Sequence, residues 1–171
     1  AIAVGADKNI HQTEDLIVSA GSTIYDFDDL FIQALDERSR FLDSFYNYSP
    51  TVLPNAWLNW LLLASDSFIT KEAKYKRSII AGYFWFGPWG RDTFISLPGL
   101  LMATGRFNEA RYVLQSFGRY YQNGLIPNLI DDVSGKPVYN TVDGTFLYVN
   151  AVLQYIKCTG DFQFIQDHLW E

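Results

Sequence analysis

The densest group of residues that could do chemistry is the segment Trp85-Phe86-Gly87-Pro88-Trp89-Gly90-Arg91-Asp92. Its glycines and proline fix the backbone, so that aromatic rings stand beside an arginine and an aspartate at a predicted helix start. Sugars have apolar faces and hydroxyl rims, and they bind to aromatic rings flanked by hydrogen-bond donors and acceptors. The segment therefore indicates a carbohydrate site. One alternative stays open: Asp92 only caps the helix, Arg91 is a surface partner and the tryptophans are core.

Two further segments carry polar residues next to predicted helices, Tyr139-Asn140-Thr141-Val142-Asp143-Gly144 and Gly124-Leu125-Ile126-Pro127-Asn128. Helix capping explains the first without any ligand, and ordinary turn chemistry explains the second. On residue types alone, neither segment requires a binding function.

A weak repeat runs through the second half of the sequence. Thr104-Gly105-Arg106-Phe107 recurs as Thr159-Gly160-Asp161-Phe162, and each copy follows an apolar helix that opens with an aspartate, Asp92 or Asp143. The repeat predicts a helical hairpin used twice, in which a buried helix, a glycine turn and an amphipathic helix follow one another. Both aspartate-bearing loops then lie at the same end and line one shared cleft.

The elements that position these segments are predicted to be helices. Apolar residues at three- and four-residue steps predict a helix from Asp26, and we expect others over 54–70, 92–104, 108–122 and 142–157, with a last one capped by Asp161. Trp57–Leu63 is apolar nearly all round and should be buried. Pro98-Gly99 is a weak point, and Gly105 and Gly160 should end helices. Residues 1–25 suggest a short strand, turn and strand, and 78–91 an irregular loop.

Composition excludes several classes of function. The net charge of −6 and the pI near 4.8 argue against nucleic acid and against an anionic membrane surface. The longest apolar stretch, near 56–64, is far shorter than a membrane span. A single cysteine fits a reducing compartment, so a soluble, cytoplasmic protein is expected. That cysteine and two distant histidines, His11 and His168, leave no zinc ligand set, and no metal or cofactor is expected.

The ordered motifs together resemble the amylo-α-1,6-glucosidase domain of glycogen debranching enzymes. The WGRDTFI string at 89–95 is followed by Pro-Gly-Leu and Thr-Gly-Arg at 98–106, by GLIPN at 124–128 and by YNTVD at 139–143. Residues 80–86 are closer to the bacterial and archaeal branch. The resemblance covers about residues 26–171. Two departures are Gly144, where the family has a small residue or alanine, and Phe146-Leu147-Tyr148, where it has a tryptophan-rich string.

The resemblance implies an all-α fold, an (α/α)6 toroid of six helical hairpins with its site at the N-terminal ends of the inner helices. Arg91 and Asp92 match the pair that holds hydroxyls of the terminal glucose, and Trp89 matches a wall of the same subsite. Asn140 and Asp143 would line the neighbouring rim. We expect residues 26–171 to be about the first half of the toroid, because at most six helices are predicted, and residues 1–25 to be the tail of a preceding β-rich domain or a linker.

The reaction implied is hydrolysis, with inversion, of an α-1,6-linked glucose stub on glycogen, a limit dextrin or a malto-oligosaccharide. Inversion needs two carboxyl groups roughly 6.5–9.5 Å apart. The family's later tryptophan-methionine-aspartate motif does not occur in this sequence. We therefore expect the catalytic pair beyond Glu171 and an inactive fragment, with apolar helix faces left bare.

Two alternatives remain at this point. A glucoamylase-like α-1,4-glucosidase would use the same residues to hold one glucose unit, so these motifs do not separate the two linkages. A non-catalytic hairpin scaffold or carbohydrate-binding remnant would use the glycines and aromatic residues for packing only.

Overall fold

The computed structural model describes residues 27–70, 78–82, 86–131 and 134–169. The chain divides into two compact units, Ala1–Asp43 and Ser44–Glu171. The strand, turn and strand expected within residues 1–25 lie outside the described residues.

Within the described ranges the chain is mostly helical, which confirms the all-α class. The elements follow in the order α1 (Phe27–Tyr48), α2 (Ala56–Asp66), β1 (Ile69–Thr70), β2 (Ser78–Ile79), α3 (Gly90–Leu97), a π-helical turn (Pro98–Met102), α4 (Phe107–Gly118), β3 (Leu129–Ile130), β4 (Pro137–Val138), α5 (Gly144–Thr159) and α6 (Phe162–His168).

Two helical hairpins share one design, as the repeat predicts. The first runs from α3 through the π-helical turn into α4, and the second runs from α5 into α6. Gly105 and Gly160 end the first helix of each hairpin with φ of +74° and +69°. Only glycine adopts this left-handed conformation at little cost, which is why it stops a helix cleanly. Asp161 caps α6 as predicted, because its side chain accepts the N–H of Phe164 at 3.1 Å.

The helix expected over 108–122 differs at both ends from the observed α4. It begins at Phe107, with Arg106 rather than Asn108 at the cap position. It ends at Gly118, because the chain reverses at Asn123 and Gly124, whose φ values of +51° and +81° make a tight two-residue turn. That turn closes with two backbone bonds between Gln122 and Leu125, at 3.0 and 2.9 Å.

The weak point expected at Pro98-Gly99 is confirmed as a π-helical turn. Proline has no N–H to donate, so the ordinary helical ladder cannot continue through it. The chain widens instead, and Ala103 donates to the carbonyl of Pro98, five residues back, at 2.9 Å.

The core lies where α3 and the π-helical turn pack against α5 and α4. The ring of Phe94 meets the rings of Phe117 and Tyr148 edge-on, with centroids 5.0 and 5.2 Å apart. The Tyr148 hydroxyl donates to the carbonyl of Leu114 at 3.0 Å, and burial raises its pKa. The fully buried side chains here are Phe94, Leu97, Leu101, Val113, Leu114, Phe117 and Tyr155. This core holds the starts of α3 and α5 side by side.

The burial predicted for 57–63 is wrong in this structure. Trp57 and Trp60 of α2 are 73% and 74% exposed, and Leu62 is the buried residue of the helix. Trp57, Trp60 and Leu61 of α2 are thus exposed apolar side chains in the described part of the chain. No helix in the described part of the chain is long and apolar enough to cross a membrane.

Two short antiparallel strand pairs complete the described structure. Ile69 pairs with Ile79, so the loop predicted over 78–91 starts with a strand instead. Leu129 pairs with Val138 in a second pair that carries the polar loops described next.

Candidate functional site

Asn128 connects three of the four motifs singled out in the sequence. It is 4% exposed, and its main chain donates to the carbonyl of Val138 at 2.9 Å and accepts the N–H of Gly90 at 2.6 Å. Its side-chain Oδ1 accepts the N–H of Arg91 at 3.0 Å, and its Nδ2 donates to Oδ1 of Asn140 at 3.0 Å. A buried side-chain amide whose oxygen and nitrogen both form hydrogen bonds holds the segments that it joins in place. Asn128 therefore fixes the starts of α3 and of the loop before α5.

Gly90 lets the two loops approach closely. A Cβ at this position would lie 2.6 Å from the carbonyl oxygen of Pro127 and 3.2 Å from the Cα of Asn128. Both are backbone atoms, so no side chain can turn away to make room. The glycine of the WGRD motif is thus required by close approach.

Arg91 and Asp143 join the starts of α3 and α5. Nε of Arg91 lies 3.0 Å from Oδ2 of Asp143, and the two side chains are 56% and 48% exposed. An ion pair this open contributes little to stability. Its two charged groups remain available to a ligand. We call the region formed by residues 89–91, 126–128 and 139–143 the loop end of the hairpins.

The remaining predicted residues, Trp89 and Asn140, belong to the same loops as the two members of the ion pair. The Trp89 backbone forms an antiparallel bridge with Leu129, and the residue is half-buried. Asn140 is exposed apart from its bond to Asn128.

Thr141 fills a narrow place beside the start of α5. Its hydroxyl is buried without a hydrogen-bond partner among the described residues. A Cβ at position 144 would collide with that hydroxyl, so Gly144, where the family has a small residue or alanine, accommodates this placement of Thr141.

Asp92 lies apart from this group, on another side of α3. Successive helical residues diverge by about 100°. Asp92 is exposed and borders a groove of about 370 Å³ with Ile95, Ser96 and residues 79–81. The ion-pair partner of Arg91 is accordingly Asp143 rather than its neighbour Asp92. The predicted site residues thus fall into two locations: one contains Arg91 and Asp143, and the other contains Asp92.

Asn128 was not among the predicted site residues. It stands at the end of the GLIPN motif, where ordinary turn chemistry was the simpler explanation. Two other contacts at the loop end also escaped prediction: the Thr145 hydroxyl accepts the Ile126 N–H at 3.0 Å, and the Tyr139 hydroxyl donates to the Tyr120 carbonyl at 2.6 Å. No local pattern signals these three contacts, because the residues that they join lie at least 12 positions apart in the sequence.

Among the described residues, no three histidine, cysteine, aspartate or glutamate side chains lie close enough together to hold a metal ion. The chemistry available at the loop end is therefore that of guanidinium, carboxylate and amide groups.

Comparison with known proteins places this arrangement in a family. Residues 63–171 match the amylo-alpha-1,6-glucosidase family. A 73-residue stretch is 44% identical to the glycogen debranching enzyme of Saccharomyces cerevisiae (strain ATCC 204508 / S288c). That stretch covers 43% of this chain and 5% of the yeast protein. Because the family match extends over more than half of the sequence and includes all the motifs of the loop end, the chain belongs to the amylo-α-1,6-glucosidase family.

Proposed function

We propose that the loop end binds the terminal glucose unit of an α-1,6 branch, as part of a glycogen-debranching glycoside hydrolase. The observation that carries the proposal is the open ion pair between Arg91 and Asp143, whose two loops are joined by Asn128 through the Arg91 N–H and Asn140. Sugar hydroxyls both donate and accept, and neighbouring hydroxyls suit a guanidinium next to a carboxylate.

The individual roles follow from the groups left free. The terminal nitrogens of Arg91 donate to hydroxyls, because Nε is the atom turned toward Asp143. Asp143 accepts from a hydroxyl with its second oxygen, and Asn140 contributes at the rim. Asp92 holds another hydroxyl from its own side of α3, and Trp89 forms a wall.

The reaction we propose is hydrolysis of the α-1,6 bond with inversion, releasing glucose in the cytoplasm from glycogen, a limit dextrin or a malto-oligosaccharide. This chemistry needs an acid that protonates the leaving oxygen and a base that activates water on the opposite face. We assign both groups to residues beyond Glu171, as the family resemblance implies, and no catalytic carboxyl to the described residues. On this proposal, the 171-residue chain alone releases no glucose.

The test is glucose release from a phosphorylase limit dextrin by the protein that carries this chain. Arg91→Lys and Asp92→Asn should each lower kcat/KM at least about tenfold, because a point charge does not replace a planar fork and an amide is a weaker acceptor than a carboxylate. The matched control is Asp167→Asn, an exposed carboxylate on α6 that bonds Gln163. Normal activity in both Arg91→Lys and Asp92→Asn would overturn the assignment.

A further inference from the structure

We propose that Asn128 is a positioning residue that turns the NH2 group of Asn140 toward the bound sugar. The inference rests on the proposed function of the loop end. It deepens that function by specifying that Asn140, at the rim, offers the sugar a hydrogen-bond donor. It is carried by a chain of two hydrogen bonds that starts at a backbone donor.

The first step fixes the orientation of the Asn128 amide. The backbone N–H of Arg91 can only donate, and it lies 3.0 Å from the Asn128 side chain. The Asn128 atom that faces it must therefore be the oxygen. Because Asn128 is buried, its amide cannot exchange the two ends through contact with water.

The second step passes this orientation to Asn140. With its oxygen on the Arg91 N–H, Asn128 presents its NH2 group to Asn140, 3.0 Å away. Asn140 must accept this bond with its side-chain oxygen, so its own NH2 group points away from Asn128, toward solvent. No described residue bonds that NH2 group, and Asn140 is exposed.

The result is a fixed pattern at the rim. The NH2 group of Asn140 is a donor, and the carboxylate of Asp143, three residues along the same loop, is an acceptor. Without Asn128, the Asn140 amide could rotate and offer either end to a hydroxyl. Asn128 thus sets which hydrogen-bonding group the sugar meets, although it is itself buried away from the sugar.

The experiment inverts this polarity with Asn128→Asp in the protein that carries this chain. A carboxylate at 128 still accepts the Arg91 N–H, but its second oxygen now faces Asn140, which must turn its NH2 group inward and its oxygen outward. Asn140→Asp reaches the same outward acceptor by a different route, because one carboxylate oxygen bonds Asn128 and the other faces the sugar. The two variants should therefore behave alike.

The readout is competitive inhibition of glucose release by glucose and by its monodeoxyfluoro analogues. A hydroxyl can rotate to donate to an outward oxygen, whereas fluorine cannot donate. In both variants we expect the Ki of one fluoro analogue to rise at least about tenfold more than the Ki of glucose rises. A merely structural role would weaken glucose and all analogues together, and that outcome would overturn the inference.

Two further measurements keep the result decisive. If Asn128→Asp does not fold, as judged by its melting temperature, Asn128→Ser replaces it. The shorter hydroxyl side chain does not hold Asn140, so its amide can now turn the oxygen outward. The Ki of the aminodeoxy analogue at the same position, whose ammonium group can only donate, should then fall, while the Ki values of the other analogues should not. Failure of the proposed function is distinct: the wild-type protein would then release no glucose, or would be insensitive to glucose and every analogue.

Discussion

At the turn end of the two hairpins, where Gly105 and Gly160 reverse the chain, the helices are stopped by bonds between neighbours in sequence. Thr104 and Thr159 each donate to a carbonyl four residues back, both at 2.8 Å, and a glycine with positive φ follows each threonine. The loop end is built from residues far apart. The bond from the Arg91 N–H to Asn128 spans 37 residues.

This contrast between local and long-range bonds separates the part of the fold that contributes to stability from the part that binds a ligand. The turn end uses local bonds and left-handed glycines, which stop helices wherever they occur. At the loop end, the buried polar contacts are those of Asn128, whereas the charged side chains of Arg91 and Asp143 are exposed. We infer that changes at the turn end alter stability, whereas changes of charge at the loop end alter activity.

The largest expected effect separates the two ends by activity. Asp143→Asn removes the carboxylate that pairs with Arg91, and kcat/KM for glucose release should fall roughly 10- to 100-fold, because a hydrogen bond to a charged group is worth about 1.5–3 kcal/mol. Asp161→Asn, at the turn end, should change kcat/KM less than about twofold. Equal losses in the two variants would remove the functional contrast between the ends.

The next effect concerns the close approach at Gly90. Gly90→Ala places a Cβ against the backbone of Pro127, and the free energy of unfolding should fall by about 2–3 kcal/mol. Gly99→Ala is the matched control, since nothing lies within 4 Å of its Cβ, and it should be neutral or stabilise by about 0.5 kcal/mol. Urea denaturation of both variants provides the measurement, and a Gly90→Ala protein as stable as wild type would contradict the close approach.

The parts of this structure that could be predicted from sequence are mostly those of the turn end. The helix ends at Gly105 and Gly160 and the cap at Asp161 depend on bonds to residues within a few positions. The residue types at these positions are therefore enough to predict them. The π-helical turn at Pro98 is similar, because the missing N–H is a property of one residue. Helix and hairpin order followed from these signals.

The loop end could be predicted only as a set of motifs. That Arg91 pairs with Asp143 depends on how α3 and α5 pack, and no local pattern encodes it. Asn128 has the composition of a turn residue, and its role appears only when three loops meet around it. The exposure of Trp57 likewise depends on which neighbours cover α2, and hydrophobicity alone does not tell that.

A smaller effect distinguishes the two glycine turns. Gly160→Ala should destabilise by roughly 1 kcal/mol, the cost of a left-handed conformation for a residue with a Cβ. Gly105→Ala should cost more, because its Cβ would also lie 2.7 Å from the ring of Tyr48, whereas nothing lies within 4 Å at Gly160. Melting temperatures of the two variants, compared side by side, check the order; the reverse order would place the Tyr48 ring elsewhere.

The smallest effect is a pH dependence at the turn end. The Phe164 N–H, and after it Tyr155 and Arg111, hold the pKa of Asp161 below its usual 3.8. A lowered pKa means that the charged form stabilises the fold above about pH 3.8, and that this contribution is lost as pH falls through the folded-state pKa. Asp161→Asn keeps a capping oxygen but no charge, so its melting temperature should lie slightly below that of wild type at pH 7. The difference in melting temperature between the variant and wild type should disappear in strong acid. A difference that does not change with pH would contradict the charge effect.

Whether the loop end holds a glucose unit can be seen in a crystal structure of the protein that carries this chain, soaked in glucose. We expect a glucose ring whose hydroxyls bond the Arg91 guanidinium and the Asp143 carboxylate, with the Asn140 NH2 group turned toward the sugar. Glucose bound elsewhere, with the ion pair of Arg91 and Asp143 left untouched, would contradict the account.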